Sequence, residues 1–140
     1  MKTYYLDSSV AVRFFFRDAG AFEFPDQGRL VSSALLRVEC FRALDRIHRL
    51  RHKSPEQVMF ARSSFYRLLE TVDLIDLTKV SLERASQSFD APIKTLDAIH
   101  LSTALLYREE SKAPLVMLTH DLQLGRAARS QDLEVVGCDV

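Results

Sequence analysis

The feature that most constrains the fold is a wholly apolar run from Leu115 to Leu118. A run without polar alternation predicts a strand that is buried on both faces, which is typical of the centre of a parallel sheet covered by helices. A second short strand, rich in aromatic residues, is predicted at residues 3–6 and ends at Asp7. Three further strands are predicted at residues 29–32, 72–77 and 134–136.

Helical patterns separate these strands. Leu36, Cys40 and Leu44 recur with the helical period, and Ser54 begins a capping box in which Pro55 is the first helical residue. The first predicted helix starts after Ser8 or Ser9 as N-cap. The second runs from about Ala34 to Arg51, with Ser33 as a possible cap and Leu50 on its apolar face. The others run from Pro55 to about Thr71, from a Thr78 cap to Ser88, from a Thr95 cap to about Arg108, and from Leu122. Strands that alternate with helices predict an α/β fold, a three-layer α/β/α sandwich with a mainly parallel central sheet.

Length and composition indicate one globular domain spanning residues 1–140, since 47% of the residues are hydrophobic and 27% are charged. Gly20–Gly28 is interpreted as a connection. The formal net charge is zero, so a nucleic-acid partner would need a local basic surface. The spacing of Cys40 and Cys138 indicates reduced thiols, and no stretch has the length of a membrane span, so we expect a soluble cytoplasmic protein.

Acidic residues follow two of the predicted strands. Asp7 comes directly after the first strand, and Asp121 comes shortly after the apolar run. In an open parallel sheet, functional sites form beyond the carboxyl ends of the strands, so both carboxylates are predicted at one sheet edge. Each aspartate also begins a helix, and capping is an alternative role for either of them.

Two further acids, Glu39 and Asp97, lie on predicted helices and lean toward apolar faces. Buried carboxylates need a partner to stay ionised, and several of them can share one divalent cation. A set made only of oxygen ligands favours magnesium, which prefers a few carboxylates with water and substrate phosphate. Asp97 also fits a bland role in the first turn of a helix, where the macrodipole favours negative charge.

Two other chemistries are disfavoured. His48 and His52 have the spacing of a zinc pair, but no glutamate follows the first histidine as it does in a metalloprotease. Ser8 and Ser9 follow a strand, as a nucleophilic serine would, but the flanking glycines of that turn are missing.

Four segments of the chain stand out together: Tyr5-Leu6-Asp7-Ser8-Ser9, Arg37-Val38-Glu39-Cys40, Leu96-Asp97-Ala98-Ile99-His100-Leu101 followed by Ser102-Thr103-Ala104, and Thr119-His120-Asp121. Together they resemble the PIN-domain ribonucleases and, more narrowly, the VapC toxins of toxin–antitoxin pairs. The resemblance covers almost the whole chain, and its most specific part is the segment that begins at Leu96.

The resemblance implies that Asp7, Glu39, Asp97 and Asp121 form an acidic metal-binding quartet, and that Ser9 and Thr119 support the first and last carboxylates. It also implies Mg²⁺, with Mn²⁺ as a substitute, an RNA substrate, a homodimer, and a cognate antitoxin that covers the active-site groove. Many relatives have another acidic or amide residue two positions after the last aspartate, and Gln123 occupies that position here, which leaves a second metal position open. Asp7, Asp97 and Asp121 are predicted to bind metal directly, and Glu39 either binds it or orients the attacking water.

A basic helix face is the candidate RNA surface. Arg42, Arg46, Arg49 and Lys53 succeed one another by four, three and four residues, and Lys94 precedes the acid-bearing helix. A solvated surface whose cations suit the helix C-terminus is an equal alternative.

The sequence leaves several functions open. The leading hypothesis is an endoribonuclease toxin; the others are an RNA-processing PIN nuclease without an antitoxin and an RNA-binding module that has lost catalysis. A phosphatase of the haloacid dehalogenase type would need a second aspartate where Ser9 stands.

Overall fold

The computed structural model describes residues 1–16, 24 and 27–140. The predicted connection at 20–28 lies outside the described residues, apart from residues 24, 27 and 28. The strands and helices are, in chain order, β1 (Thr3–Leu6), α1 (Ser8–Phe15), β2 (Arg29–Ser33), α2 (Leu35–Arg49), α3 (Pro55–Thr71), β3 (Asp73–Ile75), α4 (Lys79–Ala85), α5 (Thr95–Ser111), β4 (Leu115–Leu118), α6 (Leu122–Ser130) and β5 (Glu134–Val136).

The strands form one sheet in the order β3-β2-β1-β4-β5, and every described pairing is parallel. β1 lies at the centre, with Leu6 opposite Leu118 of β4. All four residues of β4 are buried, as the apolar run predicted. Since parallel strands in one sheet align their carboxyl ends, Asp7 and the residues after β4 lie at the same edge.

Helices cover both faces of the sheet. One core contains Leu6 and Leu118 from the strands and is built mainly with α1, α2 and α3. The other contains Tyr5 and Met117 and is built mainly with α5 and α6. Neighbouring residues of one strand thus enter opposite cores, as the alternation of side chains along a strand requires. The predicted α/β/α sandwich with a parallel sheet is confirmed.

Helix starts agree with the sequence pattern where a capping box is present. Ser54 and Gln57 bond to each other's backbone at the start of α3, and Thr78 caps α4 as predicted. The predictions of a serine cap on α1 and a Thr95 cap on α5 were wrong. Asp7 is the N-cap of α1, and Lys94 is the N-cap of α5 without a side-chain cap.

Helix ends differ by a few residues. α2 stops at Arg49 rather than Arg51, because Arg51 has a φ of 54° and left-handed backbone cannot continue the helix. Leu50 is consequently not part of the core but 57% exposed. α4 ends at Ala85 rather than at residue 88, and α5 extends to Ser111.

Ala34 occupies the N-cap position of α2 rather than Ser33, although the Ser33 hydroxyl accepts a hydrogen bond from the backbone N–H of Leu35 at 3.1 Å. Cys40 and Cys138 are both free thiols. Among the described helices, none combines the length and the apolar character that crossing a bilayer requires.

Candidate active site

Asp7 occupies the carboxyl end of the central strand and is 4% exposed. Its backbone N–H donates to the carbonyl oxygen of Leu118 at 3.0 Å, which ties the ends of β1 and β4 together. Thr119 and Asp121 follow β4 directly at this edge. The first and last acids of the predicted quartet are therefore positioned by two neighbouring strands.

Two hydroxyl groups hold the Asp7 carboxylate. The Ser9 hydroxyl donates to Asp7 Oδ2 at 2.6 Å, and the Thr119 hydroxyl donates to the same oxygen at 2.8 Å. Each hydroxyl also accepts a backbone hydrogen bond, Ser9 from the N–H of His120 and Thr119 from the N–H of Asp121, both at 3.0 Å. The network fixes Asp7 and the turn after β4 relative to each other.

Asp121 is an N-cap as well as a candidate ligand. Its Oδ1 accepts a hydrogen bond from the backbone N–H of Leu124 at 2.9 Å, at the start of α6. The capping role considered from sequence is thus present in the structure. A cap uses only one carboxylate oxygen, so the exposed Asp121 keeps its other oxygen for a further ligand.

Glu39 is held by a buried histidine that sequence reasoning did not single out. His100 on α5 is fully buried, and its Nε2 forms a hydrogen bond with Glu39 Oε1. Burial acts to lower the pKa of His100, but the hydrogen bond and charge of Glu39, with Asp7 and Asp97, outweigh it and raise the pKa. One available signal was the position of His100 three residues after Asp97, which places both on one face of a helix.

Asp97 is half-buried in the first turn of α5, and its pKa is affected by the charges of the other three acids. Burial and the charges of Asp7 and Asp121 raise its pKa from 3.8 to about 6; His100 acts to lower it, and Glu39 adds to the rise. Repulsion of this kind falls off with distance, so the four carboxylates share one electrostatic neighbourhood. Asp97 on α5 thus lies near enough to Asp7, Asp121 and Glu39 to interact with the charge of each.

The donor set fits a hard divalent cation. In the part of the chain that the structure describes, no three His, Cys, Asp or Glu side chains already converge closely enough to hold one metal ion. Magnesium does not require such a cage, because one or two carboxylates commonly bind it while water and substrate phosphate complete the coordination. A cation beside Asp97 would relieve the repulsion that raises its pKa.

The predicted basic residues lie at the surface around α2. Arg42 and Arg49 are largely exposed and both pair with Asp45, at 3.3 and 3.0 Å. Arg46 is exposed, and the Lys53 ammonium lies 5.7 Å from the centre of the Phe16 ring. Lys94 is exposed at the start of α5, three residues from Asp97. Asp45 therefore offsets part of the positive charge of this face.

A parallel sheet with clustered acids at its carboxyl edge defines a class of nucleases. The model of the PIN domain matches residues 4–130, and the chain belongs to the PIN domain family. PIN domains are generally nucleases that use divalent metal ions. Comparison with curated protein sequences finds no match.

Solved structures share this fold. A toxin–antitoxin complex from Klebsiella pneumoniae contains a chain with a TM-score of 0.60 and 18% identity, over 97% of this chain and 96% of that one. The VapBC2 complex from Rickettsia felis, bound to a DNA fragment from its promoter, contains one with a TM-score of 0.59 and 14% identity, over 96% of this chain and 97% of that one. The similarity extends along the whole length of both neighbours.

Proposed function

We propose that this chain is a magnesium-dependent endoribonuclease that acts as the toxin of a toxin–antitoxin pair, of the VapC type. The observation that carries the proposal is the proximity of Asp97 to Asp7, Asp121 and Glu39 in a PIN fold, where burial and the charges of these three carboxylates raise the pKa of Asp97. The full-length similarity to chains from toxin–antitoxin complexes supports the narrower assignment. We also propose that residues 1–140 form a single nuclease domain, which meets its RNA substrate in the cytoplasm.

The acids divide the work according to how they are held. Asp7 is fixed by two hydroxyl donors and binds the cation as a rigid ligand, together with Asp97 and Asp121. Bound Mg²⁺, or Mn²⁺ in its place, would make a water nucleophilic near neutral pH and neutralise charge on the phosphate. Glu39, held through Oε1 by His100, either ligates with its remaining oxygen or orients the attacking water and accepts its proton.

The basic face of α2 supplies phosphate contacts for RNA. Arg46 has no ion pair among the described residues, whereas Arg42 and Arg49 share Asp45, so Arg46 is the stronger phosphate ligand. Lys53 and Lys94 extend the surface.

The Arg46→Gln variant should flatten the dependence of log KM on log salt concentration by roughly 0.7, the value for one phosphate contact to single-stranded RNA. Arg42→Gln is the matched control with a smaller effect, and equal slopes for both variants and the wild type would remove this face from the RNA path.

An exposed apolar surface on α3 supports a protein partner. Met59 is 70% exposed, Phe60 46% and Tyr66 49%, although side chains of this size are usually buried. A cognate antitoxin that also covers the acid groove would mask part of such a surface, and a homodimer would mask another. Co-expression with any adjacent gene that encodes a small DNA-binding protein, followed by light scattering, tests both partners; a monomer that binds no such protein would favour an RNA-processing nuclease.

The central experiment is metal-dependent RNA cleavage by purified protein freed of any antitoxin. We expect cutting with Mg²⁺ or Mn²⁺, none with chelator, and fragments that carry a 5′-phosphate and a 3′-hydroxyl, because water attacks in line and the 3′ oxygen leaves. Fragments that end in cyclic phosphate, or full cutting in chelator, would rule out the acid site as the catalyst. RNA binding without cutting would identify the inactive module instead.

A further inference from the structure

His100 is a fully buried polar group near the acids, and four different elements meet at its ring. The residue lies on α5 and is 0% exposed. Its Nε2 bonds to Glu39 Oε1 on α2, while its Nδ1 lies 2.8 Å from the Tyr5 hydroxyl on β1 and 3.3 Å from the Ser33 hydroxyl on β2. Both ring nitrogens therefore have hydrogen-bond partners, and the ring connects α2 with β1 and β2.

The partners determine where the protons lie. An ionised carboxylate only accepts hydrogen bonds, so Nε2 must donate to Glu39. In a neutral ring Nδ1 is then an acceptor, and the Tyr5 hydroxyl donates to it. A tyrosine hydroxyl, with an ordinary pKa of about 10, carries its proton at neutral pH. In a charged ring Nδ1 would donate to a hydroxyl oxygen instead, and Nε2 would still point at Glu39.

Packing holds the ring in this orientation. The rings of Tyr5 and His100 meet edge to face, with centroids 5.7 Å apart and planes at 80°. A fully buried ring in this packing cannot turn without disturbing β1. The contact with Glu39 uses Oε1, which leaves Oε2 for the reaction.

We propose that His100 is a positioning residue for Glu39, and that the Tyr5 and Ser33 hydroxyls in turn hold His100. This inference rests on the proposed function, since the orientation of Glu39 matters only if the acid site binds metal and cuts RNA. His100 acts through Glu39: it fixes one carboxylate oxygen so that the other faces the metal or the water. Groups that orient metal-site carboxylates commonly change metal affinity or activity by about 10- to 100-fold when they are removed.

A double-mutant cycle between His100→Gln and Glu39→Gln tests this inference. Mn²⁺ is titrated by calorimetry and electron paramagnetic resonance into four proteins: wild type, each single variant and the double variant. If Glu39 ligates the metal, His100→Gln weakens Mn²⁺ binding about 10-fold or more, and the same change has no further effect in the Glu39→Gln background. If Glu39 orients water instead, His100→Gln leaves Mn²⁺ affinity and KM unchanged, and kcat falls about 10-fold or more.

Two further variants serve as a second test of the inference and as its control. Tyr5→Phe removes one hydroxyl and keeps the ring, so it should show a smaller loss of the same kind, about 3- to 10-fold, even if His100→Gln does not fold. Ser102→Ala is the matched control, because the Ser102 hydroxyl on α5 is buried and has no hydrogen-bond partner within the described residues. It should leave Mn²⁺ affinity and kcat as in the wild type.

The possible failures are distinguishable. A wild-type protein that binds no Mn²⁺ and cuts no RNA overturns the proposed function itself. Wild-type binding and cutting, with a His100→Gln loss of Mn²⁺ affinity that persists in full in the Glu39→Gln background, overturns only the positioning role. Folded His100→Gln and Tyr5→Phe proteins with unchanged affinity and kcat do the same.

Discussion

Asp7 and Asp97, two acids of the proposed site, are held in opposite ways. Asp7 is 4% exposed at a strand end, and two hydroxyl groups donate to its carboxylate. Asp97 is half-buried in the first turn of a helix, and burial with the charges of Asp7 and Asp121 raises its pKa to about 6. The strand-end acid is satisfied by the protein itself, whereas the helix acid is under repulsion from its neighbours.

In the proposed metal site, one acid is held in place without a cation, and binding of a cation would stabilise the other. A rigid set of hydrogen bonds lets Asp7 remain in place before any cation arrives, because the hydroxyl donors replace the water that burial removes. Asp97 carries the energetic penalty of the cluster, which a cation would relieve. Variants that change metal affinity and stability separately test this difference between the two acids.

The largest expected effect is on metal affinity. Asp97→Asn keeps the shape of the side chain and removes the charge that its neighbours repel. Loss of a group that only supports a metal ligand typically weakens metal binding about 10- to 100-fold, and we expect a larger fall in Mg²⁺ affinity when the proposed ligand Asp97 is changed. Circular dichroism should show an unchanged fold. Calorimetric titration with Mg²⁺ measures the loss, and a folded Asp97→Asn protein with wild-type affinity would exclude Asp97 as a ligand.

A smaller effect concerns the stability of the metal-free protein, where truncation at the two sites should act with opposite sign. Asp7→Ala leaves the hydroxyls of Ser9 and Thr119 without their acceptor, which should cost about 1–3 kcal/mol of the free energy of unfolding. Asp97→Ala relieves repulsion and should stabilise the protein. Urea unfolding in chelator at pH 7.5 compares the two variants, and losses of equal size would contradict the proposed difference.

The pH dependence of stability should identify Asp97 separately. Its pKa is about 6 in the folded protein and near 3.8 when unfolded, so between these values the folded state binds more protons. The free energy of unfolding of the metal-free protein should therefore fall as pH rises from about 4 to 7, by roughly 1 kcal/mol once solvent screening of a half-exposed group is allowed for. Asp97→Asn should remove this decrease, and saturating Mg²⁺ should suppress it.

The smallest effect separates the two roles of Asp121. An asparagine keeps the oxygen that caps α6, whereas an alanine does not, so Asp121→Ala should be less stable than Asp121→Asn by about 1 kcal/mol in the absence of metal. Both variants should bind Mg²⁺ more weakly than the wild type. If Asp121→Asn binds Mg²⁺ as the wild type does, Asp121 is only a cap.

The sequence predicted the sheet well, because its signals are local. The apolar run gave the bounds and burial of β4, and the capping box gave the start of α3. The same kind of local signal predicted the caps Ser54 and Thr78 correctly, but the caps on α1 and α5 wrongly. Ser9 lies inside α1, and its hydroxyl donates to Asp7 instead, a choice that depends on a buried charge nearby.

The support of the site could not be predicted in the same way, because it depends on distant pairings. His100 contacts Glu39 61 residues away and Tyr5 95 residues away. No period or local motif encodes such contacts, which arise only when β1, α2 and α5 pack together. The four acids followed from strand ends and from the resemblance; their hydrogen-bond partners required the structure.

The order of strands in the sheet also determines when the site can form on a growing chain. β1 precedes the other described strands in the chain, yet it lies at the centre and pairs with β4, whose residues follow 112 positions later. A nascent chain that already contains Asp7, Glu39 and Asp97 still lacks the Thr119 hydroxyl on Asp7, and it lacks Asp121. Pairings between distant segments form late in folding. A nascent chain therefore cannot assemble the four acids together with their hydroxyl donors until β4 and the turn after it have been synthesised.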